Sequence, residues 1–166
     1  MFNLWKIRRE RKSEEVIFSP LSGKVLRLED VPDPAFSKKM AGWGIAVDPS
    51  EGRVVSPVDG EVVHIFRTKH AVWIRSGSGL DLLIHIGLDT VNMDGEGFRA
   101  CVEMGDRVSA GEPVIDFSIE LVRRKATSPI TPMLIANPDR IARLDLESPA
   151  YAEMGITPLL RVRLKS

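Results

Sequence analysis

The chain is short of cysteine, net charge and long apolar runs, and each shortage excludes something. Its one cysteine, Cys101, permits neither an intramolecular disulfide nor a zinc-finger spacing, which points to an intracellular setting. Lysine and arginine number 23 against 23 for aspartate and glutamate, so the overall field does not favour nucleic acid as a ligand. No stretch is apolar for long enough to form a membrane span or a signal-peptide core. Neither a Walker loop nor a kinase-type glycine-rich loop occurs. Histidine is scarce as well, with three in 166 residues.

What remains is 43% hydrophobic over 166 residues, enough apolar mass for one ordinary core. From Val16 onward, short runs rich in Val, Ile and Leu alternate with Gly, Pro, Asp and Ser turns. This pattern predicts an all-β, antiparallel sandwich or barrel-like domain of Greek-key or jelly-roll character over residues 16–166, with a few short helices. The helical signals are a turn at Ser37 to Met40, a helix at residues 118–126 capped by Ser118, and another from Pro138 to Leu144 after Asn137. Residues 1–15 read as a flexible basic segment. Phe2, Trp5 and five Lys or Arg residues there suit weak contact with a membrane surface, although the apolar face is poorly focused.

The most informative stretch runs from His70 to Val91. Two apolar runs flank Gly77-Ser78-Gly79, which reads as a β-hairpin with a Gly-X turn. With Gly77 and Ser78 as the two turn residues, His70 falls directly opposite His85, and both rings share one face. Phe66, Thr68 and His70 then alternate along one strand, as do Leu83 and His85 on its partner, while Trp73 points to the face opposite His70. Neutral imidazole is a nucleophile, a proton carrier and a metal ligand. One apolar-strand histidine reads as a core residue with a satisfied hydrogen bond, but two buried together need partners or cost free energy, which favours a shared site. His64 has no partner by spacing and reads as an ordinary strand residue. Cys101 reads as a buried small hydrophobe.

A weak internal repeat relates Ser19–Val25 to Ser56–Val62, each a proline and a turn glycine before an apolar run. Biotinyl and lipoyl carriers share this hairpin style, but they need a lysine at the tip of an exposed turn, and none stands there. The likeness is one of sheet architecture.

The segment Gly79-Leu-Asp-Leu-Leu-Ile-His85-Ile-Gly87-Leu-Asp89-Thr90-Val91 resembles the phosphohistidine segment of the glucose-type IIA domains of the bacterial sugar phosphotransferase system. The resemblance extends to Ser19-Pro-Leu-Ser-Gly-Lys, Val31-Pro-Asp-Pro-Ala-Phe36, Thr68-Lys-His70-Ala, Asp94-Gly-Glu-Gly-Phe98 and Gly105-Asp-Arg-Val-Ser-Ala-Gly111, in order and at the family's spacing. It spans residues 16–164. It implies a cytoplasmic phosphocarrier, peripheral at most to the inner face of the membrane, that takes a phosphoryl group from the carrier HPr onto His85. The group then passes to a cysteine of a sugar-specific IIB domain of a membrane permease.

By the same resemblance His70 and Thr68 orient the phosphohistidine and its phosphate. Phe36, Met40, Phe66, Leu83 and Val91 make an apolar apron for partner proteins, with Asp33 and Asp89 at its rim. No cofactor is required; zinc binds only where a partner adds a carboxylate to His70 and His85. Two departures stand out: Trp43 replaces an acidic residue frequent between two glycines near the apron, and Trp73 replaces a small residue. Two other readings remain, a regulatory module that binds target proteins according to its phosphorylation state and a zinc peptidase of the lysostaphin type. The second lacks the His-x-His pair it needs.

Overall fold

The computed structural model describes residues 14–38 and 43–166. Its strands are β1 (Glu14–Phe18), β2 (Gly23–Leu26), β3 (Gly44–Pro49), β4 (Arg53–Val55), β5 (Gly60–Ile65), β6 (Ala71–Ser76) and β7 (Asp81–His85) in the first half. The second half adds β8 (Phe98–Ala100), β9 (Arg107–Val108), β10 (Pro113–Phe117), β11 (Thr131–Ile135), β12 (Ile141–Leu146), β13 (Tyr151–Ala152) and β14 (Pro158–Leu164). Among the described residues there are two α-helices, a single turn α1 (Pro34–Ser37) and α2 (Ile119–Lys125). All pairings between these strands are antiparallel. They form one large sheet in the order β13-β2-β3-β11-β7-β6-β5-β9 and two three-stranded sheets, β1-β14-β12 and β4-β10-β8. All three contribute to one core, which gathers Ile17 and Val162, Val54 and Ile115, and Val72 and Ile84. The all-β sandwich expected from the strand pattern is therefore the architecture found.

The large sheet has a second apolar layer on its other face. Period-2 alternation sends Val72, Ile74, Leu82, Ile84 and Met133 into the main core. The residues between them face outward. There Ala46, Leu88 and Leu134 join Leu28 and Val31 in a small cluster, with Phe36 and Leu83 packed on it. Residues 28–37 thus cover part of the outer face.

The β6–β7 hairpin forms, but one residue out of the expected register. Gly77, Ser78 and Gly79 all lie in the loop: the Ser76 N–H donates to the Leu80 carbonyl, and Gly79 adopts φ +95°. This is a three-residue loop closed by a left-handed glycine. The extra loop residue moves Ala71, not His70, opposite His85. It also puts Trp73 opposite Leu83, on the same outward face as His85, correcting the side assigned to Trp73.

Several expectations give way to local structure. β1 starts at Glu14, so two residues assigned to the N-terminal segment belong to a strand. Residues 1–13, and with them the membrane-contact reading, lie outside the described residues, as does Met40. Ser118 caps α2 as read, accepting the Leu121 N–H at 3.2 Å. The second predicted helix is only a 3-10 turn at Pro138–Arg140, followed by β12. Asn137 is instead a brace for the hairpin: it accepts the Asp81 N–H at 2.8 Å and donates to the Gly79 carbonyl at 2.9 Å. Cys101 is exposed, not buried, because it leaves β8 for a turn.

Candidate active site

β7 runs as regular strand up to His85 and stops there for a reason carried by β11. Along β11 the Ala136 N–H donates to the Asp81 carbonyl while the Ile135 N–H donates to the Trp43 carbonyl. Alternation then aims position 132 at β7, abreast of His85. Residue 132 is proline, which has no N–H to give. The pairing of β11 with β7 accordingly ends at Met133–Ile84, and the chain beyond His85 is released from the ladder.

Two bonds orient His85. On the β6 side, the Ile86 N–H donates to the His70 carbonyl at 2.7 Å, so 70 and 86 form a hydrogen-bonded pair and 71 and 85 a non-bonded one. Side chains approach most closely in such pairs, and Ala71 leaves room for a ring. The His85 Nδ1 lies 2.8 Å from the Gly87 carbonyl. A carbonyl only accepts, so Nδ1 carries a proton, and in the neutral ring Nε2 is the nitrogen with the lone pair. Gly87 turns its carbonyl back at φ +71°, where a Cβ would sit 2.6 Å from Thr90 Cγ2 and 2.9 Å from the Ser128 carbonyl oxygen. Glycine is required at this point on both counts.

His70 reaches His85 by a different route from the one predicted. Phe66 to His70 is not a strand but the turn between β5 and β6, with Lys69 at φ +58°. The turn places Thr68 Oγ1 2.5 Å from His70 Nδ1 and brings the two histidine rings edge to face, their centroids 5.2 Å apart. His70 is 8% exposed. Burial, and next the charge of His85, push its pKa below the usual histidine value, so both causes favour a neutral ring. Phe66 stands 5.9 Å from His70, and Phe36 5.4 Å from His85, centroid to centroid. The histidine pair is thus flanked by an aromatic ring on each side.

The remaining predicted residues separate by role. Leu83 lies two residues before His85 on the same outward face, and Val91 is 48% exposed. Asp33 caps α1, accepting the Ala35 N–H at 3.0 Å, which fixes the turn that carries Phe36. Asp89 is exposed and accepts a hydrogen bond from the Thr127 hydroxyl. Trp43 immediately precedes β3, abreast of Ile135, which pairs with Leu82, so it sits about 10 Å along the hairpin from His85. His64 is an exposed residue of β5 whose ring meets Phe66 at 4.9 Å. Gly87, Ala71 and Pro132 were not singled out from the sequence; the glycine two residues after His85 was the available signal. Among the described residues, no group of three or more His, Cys, Asp or Glu side chains gathers to hold a metal ion.

These features define a class: an antiparallel β domain presenting one half-buried imidazole beside a second, buried one, in an apolar setting. Comparison with known proteins gives the family. Residues 15–141 match the family described as phosphoenolpyruvate-dependent sugar phosphotransferase system, EIIA 1. The chain is 48% identical to the glucose-specific EIIA component of Halalkalibacterium halodurans over 92% of this chain and 88% of that protein. It is 41% identical to the component of the same name from Staphylococcus aureus over 94% of each. Among solved structures, the glucose permease IIA from Mycoplasma capricolum superposes with a TM-score of 0.75 at 27% identity, over 89% of this chain and 95% of that one. The chain belongs to the EIIA family of the phosphoenolpyruvate-dependent sugar phosphotransferase system. The zinc-peptidase reading draws no support from these matches.

Proposed function

We propose that His85 is the residue that carries the phosphoryl group, and that the observation carrying this is its Nδ1–H bond to the Gly87 carbonyl. The lone pair of Nε2 attacks phosphorus on the phosphohistidine of HPr. The new Nε2–P bond forms as the old N–P bond breaks, with that electron pair staying on the donor nitrogen. Positive charge moves onto the His85 ring, where Nδ1–H already faces a carbonyl dipole. The second transfer reverses these roles, and a thiolate of the IIB domain attacks the phosphorus. Little covalent chemistry is asked of the protein, so positioning and charge stabilisation supply the rate.

His70 serves the phosphate. With the Thr68 hydroxyl donating to Nδ1, its Nε2–H is free to donate to a phosphoryl oxygen. Phe36, Phe66, Leu83 and Val91 form the apolar contact that excludes water while a partner is docked, with Asp33 and Asp89 at its edge. The domain works in the cytoplasm, against a permease on the inner face of the membrane. Two imidazoles are two ligands short of a closed zinc site, so zinc enters only with a carboxylate from a bound protein.

Incubation with phosphoenolpyruvate, enzyme I and HPr, followed by intact-mass analysis, is the test. One acid-labile phosphoryl group is expected, absent in His85→Ala. Labelling that persists in His85→Ala assigns the chemistry elsewhere.

A further inference from the structure

Gly87 joins two peptide planes, and both are held at each end. In the first plane, the Ile86 carbonyl accepts the Thr90 hydroxyl at 2.5 Å and the Gly87 N–H donates to the Thr131 hydroxyl at 3.2 Å. In the second, the Leu88 N–H donates to the Ser128 carbonyl at 2.8 Å and the Gly87 carbonyl accepts the His85 Nδ1–H at 2.8 Å. Thr90 and Thr131 are each 0% exposed. The Thr131 hydroxyl spends its own proton on the Pro129 carbonyl at 2.9 Å, which leaves its oxygen to act as acceptor toward Gly87.

This arrangement follows from where the sheet stops. Pro132 ends the ladder at His85, so the next stretch of chain has no backbone partner in β11. The Thr131 hydroxyl, one residue away, takes that place. Glycine is also the residue with the most backbone freedom, and a left-handed glycine held only by its neighbours would let the carbonyl swing off Nδ1. The two buried hydroxyls fix the peptide before the glycine, and the Leu88 N–H bond to Ser128 fixes the one after it, so neither side of Gly87 is left to swing. Neutral imidazole chooses its tautomer by the hydrogen bond its other nitrogen makes, and one such bond biases an equilibrium by up to about tenfold.

We infer that Thr131 and Thr90 are positioning residues for His85. By clamping the Ile86–Gly87 peptide, they aim the Gly87 carbonyl at Nδ1 and hold the tautomer whose Nε2 is the nucleophile. Neither touches the phosphoryl group. The inference rests on His85 being the acceptor.

Thr131→Val and Thr90→Val each delete one hydroxyl at nearly constant shape, and Thr131→Ser restores it. Long-range proton–nitrogen correlation spectra of nitrogen-15-labelled protein read the tautomer of each histidine, and rapid mixing with phospho-HPr reads the acceptance rate. In the native protein and Thr131→Ser, His85 is expected as the Nδ1–H form. In both valine variants the two tautomers mix and acceptance slows by about twofold, as expected when a tenfold bias toward the reactive tautomer is lost, while the His70 pattern stays unchanged. Should Thr131→Val not fold, Thr90→Val tests the same peptide from its other end. A folded valine variant with an unchanged His85 tautomer overturns the inference. Native protein that takes up no phosphoryl group overturns the carrier reading instead, and the spectra still decide whether the threonines set the tautomer.

Discussion

The two faces of the large sheet are built from the same strands and behave as different materials. On β7, Leu82 and Ile84 point inward and are 0% exposed, whereas Leu83 and His85 point outward and are half-buried. The inner face is packed mainly with buried aliphatic side chains. The outer face mixes rings, a small apolar cluster under residues 28–37 and open surface. One-residue alternation thus separates stability from chemistry while keeping them within about 7 Å along the chain. The histidine gains rigidity from a core it does not enter.

That division is tested most severely by Ile84 and His85, adjacent residues with opposite duties. Ile84→Ala opens a cavity in the main core and is expected to cost about 2–5 kcal/mol in urea unfolding. Its folded fraction should still accept phosphate. His85→Ala should keep nearly all of the stability and lose all acceptance. If Ile84→Ala, while folded, also lost acceptance, the two faces would not be separable.

The next effect separates the two histidines. His70→Gln should still accept from phospho-HPr but pass the group on more slowly, by about tenfold or more; equal loss in both steps would mean the roles are wrongly assigned. The pH dependence of its stability has a definite sign. The folded pKa of His70 lies below the usual 6.5, so folding opposes protonation: the penalty is absent above the unfolded value and grows as pH falls through the window below it. The melting temperature of His70→Gln should therefore gain on the native protein as pH drops below about 6.5. A constant difference from pH 8 to pH 5 would contradict this.

How much of this was legible in the sequence divides along the same faces. Inward positions repeat with period two, so the β class, the hairpin and the shared face of Leu83 and His85 were readable. The meeting of His70 with His85 was readable as a pairing but not in its geometry. A two-residue and a three-residue loop both suit Gly77-Ser78-Gly79, and only the left-handed φ of Gly79 decides between them. That one residue also moved Trp73 to the outward face. β11 is hard to read as a strand because Pro129 and Pro132 look like turn punctuation, although Pro132 is what frees the chain at His85. Asn137 read as a helix start because a capping side chain and a hairpin brace use the same amide. The cap at Ser118 was readable because it is local.

The smallest expected effect lies away from both faces, on the β4-β10-β8 sheet. Asp116 accepts two bonds from Arg53, at 2.8 and 3.1 Å, and one from Arg99 at 3.1 Å. The Arg53 hydrogen bonds, with Arg99 adding to them, hold its carboxyl at about 2. A depressed carboxylate contributes stability above its unfolded pKa and loses it as pH falls through the folded value, here between about 4 and 2. The cluster is largely solvated, with Arg53 and Arg99 side chains 49% and 77% exposed, so water and salt screen most of its attraction. Asp116→Asn should lower the melting temperature by only about 1–3 °C at pH 7 and low salt. The difference should shrink in high salt, vanish near pH 2, and leave phosphoryl acceptance untouched. A larger loss that salt does not reduce would mean that Asp116 braces the β8–β10 pairing as a buried group does, and that the outer surface of this small sheet shares the duties of the core.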